Sequence, residues 1–221
     1  MVKQQSKLNE NPEIHSYELF KGRYVDTMPV LRAEGRMPMS ISALMKRRLE
    51  VLGSKDKELI EAWWGDGHAM GAYDSSTGIA MFNDEIKVVP NAEPLLNVNR
   101  DSQLYRGALF MTEKKYDAMK GPIFSRKELR KAGQGKNMTR DQILEHPLWL
   151  AAAESDDLRG DYIDAQMQRL GNKKMMSVYT AGSYSAPTMR ELMLGCGSGG
   201  WRSCLVAGPL GLEANLIGKK V

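Results

Sequence analysis

The chain has 221 residues, of which 42% are hydrophobic and 26% are charged, and its formal net charge is +4. This composition is that of an ordinary globular protein, and it excludes fibrous, collagen-like and low-complexity proteins. No segment approaches the roughly 20 consecutive apolar residues of a membrane span, and Met1–His15 lacks the apolar core of a signal peptide. The sequence therefore predicts a cytoplasmic protein with no membrane partner.

The first part of the chain is polar. Residues 1–14 include Pro12 and show no hydrophobic periodicity, which predicts a flexible polar arm, with residues 15–221 forming a single α+β domain. From Tyr17 to residue 39 the chain is interrupted by residues that break helices and strands, which favours a loop with short strands (Gly22, Pro29, Gly35 and Pro38).

Two helices are predicted next. Ser40 is a good N-cap, Gly53 is a good stop, and the apolar residues between them repeat at helical spacing (Ile41, Leu44, Met45, Leu49 and Leu52). Ser54 is then predicted to cap a second helix that ends at Gly65 and carries four apolar residues on one face (Leu59, Ile60, Trp63 and Trp64).

The centre of the chain mixes strand and helix signals. Residues 68–90 predict an antiparallel β-hairpin, because a turn-rich stretch around Asp74 separates extended segments and Glu85–Val89 alternates polar with β-branched residues. Short helices are predicted after the caps Thr112 and Ser125, and Thr139 with Gln142 matches a capping box.

The last helix and the Gly-rich end complete the prediction. Apolar residues at helical spacing between Leu158 and Leu170 predict a helix, and residues 175–218, rich in glycine, predict further antiparallel hairpins, one of them turning at 197–200. The predicted fold class is α+β, with a central group of short helices and antiparallel β-hairpins near residues 68–90 and 175–218.

Charge is distributed unevenly. Residues 111–140 hold nine basic and three acidic residues, whereas residues 141–170 hold seven acidic and two basic residues. A basic surface of this kind is typical of contact with the phosphates of nucleic acid. The predicted nucleic-acid-binding residues lie in the basic segment 112–140: Lys114, Lys115, Arg126, Lys127, Arg130, Lys131, Lys136 and Arg140. In the alternative interpretation this segment pairs with the acidic residues that follow it (Asp156, Asp157, Asp161 and Asp164).

A second hypothesis is enzymatic. Asp74 precedes Glu85-Ile-Lys87, and a strand places Glu85 and Lys87 on one face. This spacing is similar to the D…ExK pattern of restriction-endonuclease-like nucleases. The resemblance implies that two carboxylates hold Mg²⁺ and that the lysine helps to activate a water molecule, and Glu58 or Glu61 could add a third carboxylate.

Other chemistry is weakly indicated. Cys196 and Cys204 have neither the spacing nor the neighbouring histidines of a zinc site, and the glycine run 195–200 lacks the Lys-Ser/Thr of a phosphate-binding loop. No cofactor or metal is predicted outside the nuclease alternative. The leading hypothesis is a non-enzymatic protein that binds nucleic acid or assembles with it. A third hypothesis is a structural or adaptor protein that assembles as a homo-oligomer through its methionine-rich surface.

Overall fold

The computed structural model describes residues 2–4, 7–11, 13–64, 78–82, 85–89, 93–102, 104–105, 108–109, 112–125, 139–145, 149–150, 153, 155–169, 176–181, 191–196 and 213–221. The helices are α1 (Tyr24–Ala33), α2 (Ile41–Leu52), α3 (Lys57–Trp64), α4 (Glu93–Leu96), α5 (Glu113–Ala118), α6 (Arg140–Leu144) and α7 (Asp156–Arg169). The strands are β1 (Val2–Gln4), β2 (Tyr17–Arg23), β3 (Arg36–Pro38), β4 (Gly78–Phe82), β5 (Glu85–Val89), β6 (Leu104–Tyr105), β7 (Ala108–Leu109), β8 (Ile123–Ser125), β9 (Met176–Ala181), β10 (Glu191–Cys196) and β11 (Glu213–Lys220). The fold is therefore mixed α+β.

A four-stranded antiparallel sheet joins the two ends of the chain. Its order is β1-β2-β11-β3, so that β11 lies between β2 and β3. Leu19 pairs with Ile217, and Gly218 pairs with both Glu18 and Pro38. We call these four strands the frame sheet.

The region from residue 17 to residue 39 differs from the predicted loop with short strands. Strand β2 runs directly into α1, which contains Pro29, and β3 follows. Breaking residues suggested a loop, but a buried apolar stripe drives the helix against the frame sheet (Tyr24, Val25, Met28 and Leu31).

The two helices predicted after residue 40 are confirmed. The Ser40 hydroxyl accepts a hydrogen bond from the Ala43 amide, and α2 ends at Gly53. The cap of α3 differs from the prediction: Asp56, and not Ser54, accepts hydrogen bonds from the amides of Glu58 and Leu59. A carboxylate at this position also favours the positive end of the helix.

A hairpin is present near residues 68–90 as β4 and β5, but its turn differs from the prediction. The strands are antiparallel with Phe82 opposite Glu85, so the chain reverses between these residues and not at the turn-rich stretch around Asp74. Strand β8 adds to the other edge of β5. The predicted cap at Thr112 and the capping box of Thr139 and Gln142 are both present.

The carboxyl-terminal strands pair over a longer range than predicted. Strands β9 and β10 form an antiparallel pair in which Cys196 lies opposite Met176, whereas β11 joins the frame sheet instead of a local hairpin. The turn predicted at 197–200 lies outside the described residues. Local pattern could not identify β2 as the partner of β11, because the two strands are distant in sequence.

The range predicted as a flexible polar arm, residues 1–14, makes specific contacts with the rest of the chain. Strand β1 pairs with β2, and the side chain of Leu8 is only 1% exposed. The polar composition of this range concealed Leu8, whose side chain enters the same core as Trp63 and Leu59.

The main core lies between the frame sheet and helices α2, α3, α6 and α7, and it includes three of the four tryptophans (Trp63, Trp64 and Trp149). Within the described part of the chain, no helix is both long and apolar enough to cross a membrane.

Candidate functional site

The basic segment was the strongest sequence signal, and part of it is visible on α5. Thr112 caps this helix by accepting a hydrogen bond from the Lys115 amide, and Tyr116 is buried on its inner side. Lys114 and Lys115 are consequently exposed, and Lys120 is exposed just beyond the helix. The ammonium groups of these lysines are therefore accessible to an anion in solution, and binding it would not require other side chains to be moved.

Five of the predicted nucleic-acid-binding residues lie outside the described residues (Arg126, Lys127, Arg130, Lys131 and Lys136). Arg140, in contrast, is well defined at the start of α6. Its guanidinium donates to both carboxylate oxygens of Asp164 on α7, at 2.5 and 2.7 Å. This bidentate pair raises the pKa of Arg140 and lowers the pKa of Asp164.

The Arg140–Asp164 pair links the basic segment to the acidic segment, as the alternative interpretation anticipated for this position. Its consequence is that Arg140 serves chiefly as a clamp between α6 and α7. Asp156 makes a second pair within α7, at 3.0 Å from the largely buried Arg159. Asp157 and Asp161 remain exposed.

The nuclease hypothesis concerned Asp74, Glu85 and Lys87. Asp74 lies outside the described residues, and Glu85 is exposed at the first position of β5. Lys87 is only 8% exposed: its ammonium donates to the Tyr116 carbonyl at 3.1 Å and lies 4.1 Å from the centre of the Tyr116 ring. These two contacts give Lys87 a structural role, because they fasten β5 to α5.

The surroundings of Lys87 contain one further electrostatic effect. Burial raises the pKa of Tyr116, and the negative charge of Glu85 adds to that rise. Over the residues that the structure describes, no three His, Cys, Asp or Glu side chains gather into a possible metal site. Glu58, considered as a third carboxylate, is instead paired with Lys7 at 2.7 Å.

Sequence reasoning missed a group of arginines that the fold buries. Arg48 on α2 donates to the Tyr162 hydroxyl at 2.7 Å, and its backbone carbonyl accepts a hydrogen bond from the Trp64 indole. The signal was present, since residue 48 falls on the apolar stripe of α2 together with Leu44 and Met45. Charge alone was not sufficient to identify it as a core residue.

Arg36 is the buried arginine of the frame sheet. It lies 3.1 Å from a carboxylate oxygen of Glu18 and donates to the carbonyls of His15, Ser16 and Gly218. It therefore ties β3 to the beginning of β2 and to the end of β11. Arginine suits this position because its planar group can serve several acceptors at once.

The comparisons with known proteins concern the fold. No family model matches the chain, and no curated protein matches it. The chain is similar to a solved structure from work on the "accommodation of massive sequence variation in Nanoarchaeota by the C-type lectin fold". The two are 14% identical, the match covers 96% of this chain and 98% of the other, and the TM-score is 0.54. The likeness is therefore one of fold, to a C-type lectin architecture.

Proposed function

We propose that this protein is a non-enzymatic recognition protein in which a C-type lectin-like frame carries a binding surface that tolerates changes of sequence. The observation that carries the proposal is the fold likeness over almost the whole chain. The neighbour is described as a C-type lectin fold that accommodates massive sequence variation, and we extend that property to this chain.

The separation between buried residues that specify the frame and exposed residues that do not supports this proposal. The frame is specified by buried residues that contact one another, including Phe20, Leu31 and Gly218 where α1 meets the frame sheet. Arg36 and the core around Trp63 complete it. Side chains outside these contacts are free to change without loss of packing, because exposed substitutions usually alter stability by less than about 0.5 kcal/mol.

Two segments near the carboxyl end have the composition of a binding surface. Residues 182–190 and 197–203 follow β9 and β10 in sequence and lie outside the described residues. They combine Gly and Ser with a few larger side chains (Tyr184, Arg190, Trp201 and Arg202). Protein binding loops commonly have this mixture, because Tyr, Trp and Arg supply contact energy while Ser and Gly adapt to the ligand.

The test is a pair of displayed libraries of the full chain. In the first library, residues 183–190 and 198–203 are randomised, and in the matched control library the same number of frame residues is randomised. We expect most members of the first library to resist protease and few members of the control to do so. Panning the first library against unrelated immobilised proteins should then yield binders, and wild type should be screened on glycan and protein arrays.

The proposal fails if randomising the two segments unfolds the chain as often as randomising the frame. It also fails if the first library folds but gives no binders against any target, because a tolerant surface without recognition is not a binding site.

Nucleic-acid binding by the basic segment is the second candidate function, and the exposure of Lys114 and Lys115 favours it. Binding through several such contacts should weaken steeply as salt rises, because each neutralised phosphate releases counterions. Lys114→Glu/Lys115→Glu should weaken binding of single-stranded or duplex nucleic acid in low salt. The matched control is Lys55→Glu/Lys57→Glu, which changes net charge equally at two other exposed lysines.

Equal losses in the two double variants would assign the binding to net charge alone and remove α5 from the proposal. If both double variants bind as wild type does, the four reversals Arg126→Glu, Lys127→Glu, Arg130→Glu and Lys131→Glu test the rest of the segment. If that fourfold variant also binds nucleic acid as wild type does, the basic segment is not the nucleic-acid-binding site.

A further inference from the structure

The segment before β2 is attached to the body of the protein by a compact set of contacts. Strand β1 pairs with the outer edge of β2, from Val2 opposite Lys21 to Gln4 opposite Leu19. Leu8 is buried, and its carbonyl accepts a hydrogen bond of 3.1 Å from the Trp63 indole. We call residues 2–10 the amino-terminal strap.

Polar contacts surround this buried leucine. The Lys7 ammonium lies 3.2 Å from a carboxylate oxygen of Asp56 and 2.7 Å from one of Glu58, at the start of α3. On the other side, a carboxylate oxygen of Glu10 lies 3.6 Å from the Arg47 guanidinium. The strap therefore occupies a defined seat, formed by the outer edge of β2, the core around Trp63 and the charged groups of α2 and α3.

The connection between the strap and β2 is anchored at its end, where Arg36 donates hydrogen bonds to the carbonyls of His15 and Ser16. The Asn9 side chain donates to the Tyr17 carbonyl and accepts from the Tyr17 amide, both at 2.9 Å. Between them, the described backbone hydrogen bonds of Asn11 and Ile14 are local to the turn. The side chain of Ile14 is 59% exposed, which is unusual for isoleucine.

We propose that the amino-terminal strap exchanges between two copies of this chain, so that the strap of each copy occupies the seat on the other. Every strap contact is re-formed in the exchanged pair, because the two seats are identical. Only the connection at residues 11–14 must open, and the hydrogen bond from Arg36 to the His15 carbonyl is kept. The two opened turns lie side by side across the two-fold axis, where the two Ile14 side chains gain an apolar partner.

Exchange competes with closure of the strap on its own chain. A segment on a short linker has an effective concentration of about 1 mM at its own seat, so the exchanged pair is expected only when the protein concentration approaches this value. One consequence is that two copies of any binding surface are joined in one particle. The inference does not depend on what that surface binds.

The test uses two full-length chains that carry different tags, both with Cys196→Ser and Cys204→Ser. One chain carries Lys7→Cys and the other carries Glu58→Cys, and a short bis-maleimide is added after the chains have been mixed at about 1 mM. A strap seated on its own chain presents one new cysteine only, so a covalent pair carrying both tags requires exchange. In the control mixture, Lys114→Cys replaces Glu58→Cys and measures linkage by collision.

We expect the covalent pair to exceed the control at least fivefold and to decline as the mixture is diluted before the reagent is added. Leu8→Ala in both chains should lower the yield toward the control, and Asn9→Ala provides a second variant if Leu8→Ala does not fold. A yield equal to the control at every concentration, including after joint unfolding and refolding, overturns the proposal. A yield that neither dilution nor the strap variants change also overturns it, because the linkage is then collisional.

Discussion

Gly218 is the position in the frame sheet where an added methyl group has the most definite consequence. It lies in β11 between Glu18 of β2 and Pro38 of β3. A Cβ atom there would be 3.0 Å from Cγ and Cδ1 of Leu31 and 3.0 Å from Cε2 of Phe20. Since carbon atoms prefer about 3.5–4.0 Å, these side chains would have to move by about 0.5–1 Å.

Neither neighbour of Gly218 can move easily, because Phe20 and Leu31 are both fully buried. Overpacking a core costs about 1–3 kcal/mol, and we expect Gly218→Ala to lower the free energy of unfolding by about 2 kcal/mol. In a chain of this length the melting temperature should fall by about 4–8 °C. Gly218→Val should cost more.

The assay is urea and thermal unfolding followed by tryptophan fluorescence and circular dichroism, with an unchanged urea m-value as the sign of an intact fold. Gly53→Ala is the matched control: the nearest atom to its Cβ would be the Glu50 carbonyl oxygen at 3.5 Å, an ordinary contact. That variant should be neutral or more stable by about 0.5 kcal/mol. If Gly218→Ala and Gly53→Ala have the same melting temperature, the proposed packing of α1 on the frame sheet is refuted.

Three further predictions concern single side chains. The Trp149 indole N–H has no hydrogen-bond partner among the described residues, whereas the Trp63 indole donates to the Leu8 carbonyl. Trp149→Phe should therefore lower the free energy of unfolding less than Trp63→Phe does, because only the second variant loses a hydrogen bond. Urea unfolding of the two variants measures this, and the reverse order would contradict the hydrogen bond from Trp63 to Leu8. Hydrogen bonds from an arginine or a backbone amide lower the pKa of Asp26, Asp56 and Asp164 in the folded protein. These ionised carboxylates should therefore stabilise the fold fully above about pH 4, the ordinary pKa of aspartate, and the stabilisation should be lost as pH falls through the lower pKa of the folded state. Urea midpoints across that range test this, and midpoints that do not fall in acid would contradict it. Lys87→Met should lower stability by about 1 kcal/mol because the Tyr116 carbonyl loses its donor, whereas loss of a Mg²⁺-dependent cleavage in this variant would instead support the nuclease hypothesis.

Local signals in the sequence predicted local structure well. Ser40 and Gly53 bound α2, and the capping box of Thr139 and Gln142 begins α6, because each of these signals acts over only a few residues. The stripe that buries α1 was equally local, but Pro29 and the flanking glycines masked it. Pro29 is the sixth residue of this ten-residue helix, where it removes one backbone hydrogen bond, but buried apolar residues on the inner face still stabilise the helix.

Long-range pairing could not be predicted from one sequence. The sequences of β2 and β11 contain no local pattern that identifies the two strands as neighbours. Neither the frame sheet nor the burial of Arg36 could therefore be predicted. The candidate site shows the same limit: Lys114 and Lys115 are exposed as expected, but whether Arg140 faced solvent or Asp164 depended on how α6 meets α7. Net charge along a segment does not reveal which charges are neutralised by folding.

The position of β11 in the frame sheet also constrains the order in which the protein can fold. Strand β11 follows every other described element, yet it is a central strand whose partner β2 lies about 200 residues earlier. During synthesis, the edge of β2 that pairs with β11 stays unpaired until residues 213–220 have left the ribosome, and such an edge can recruit strands from other chains. Chaperone dependence and sensitivity to the rate of translation are therefore expected of this protein, however stable its finished fold.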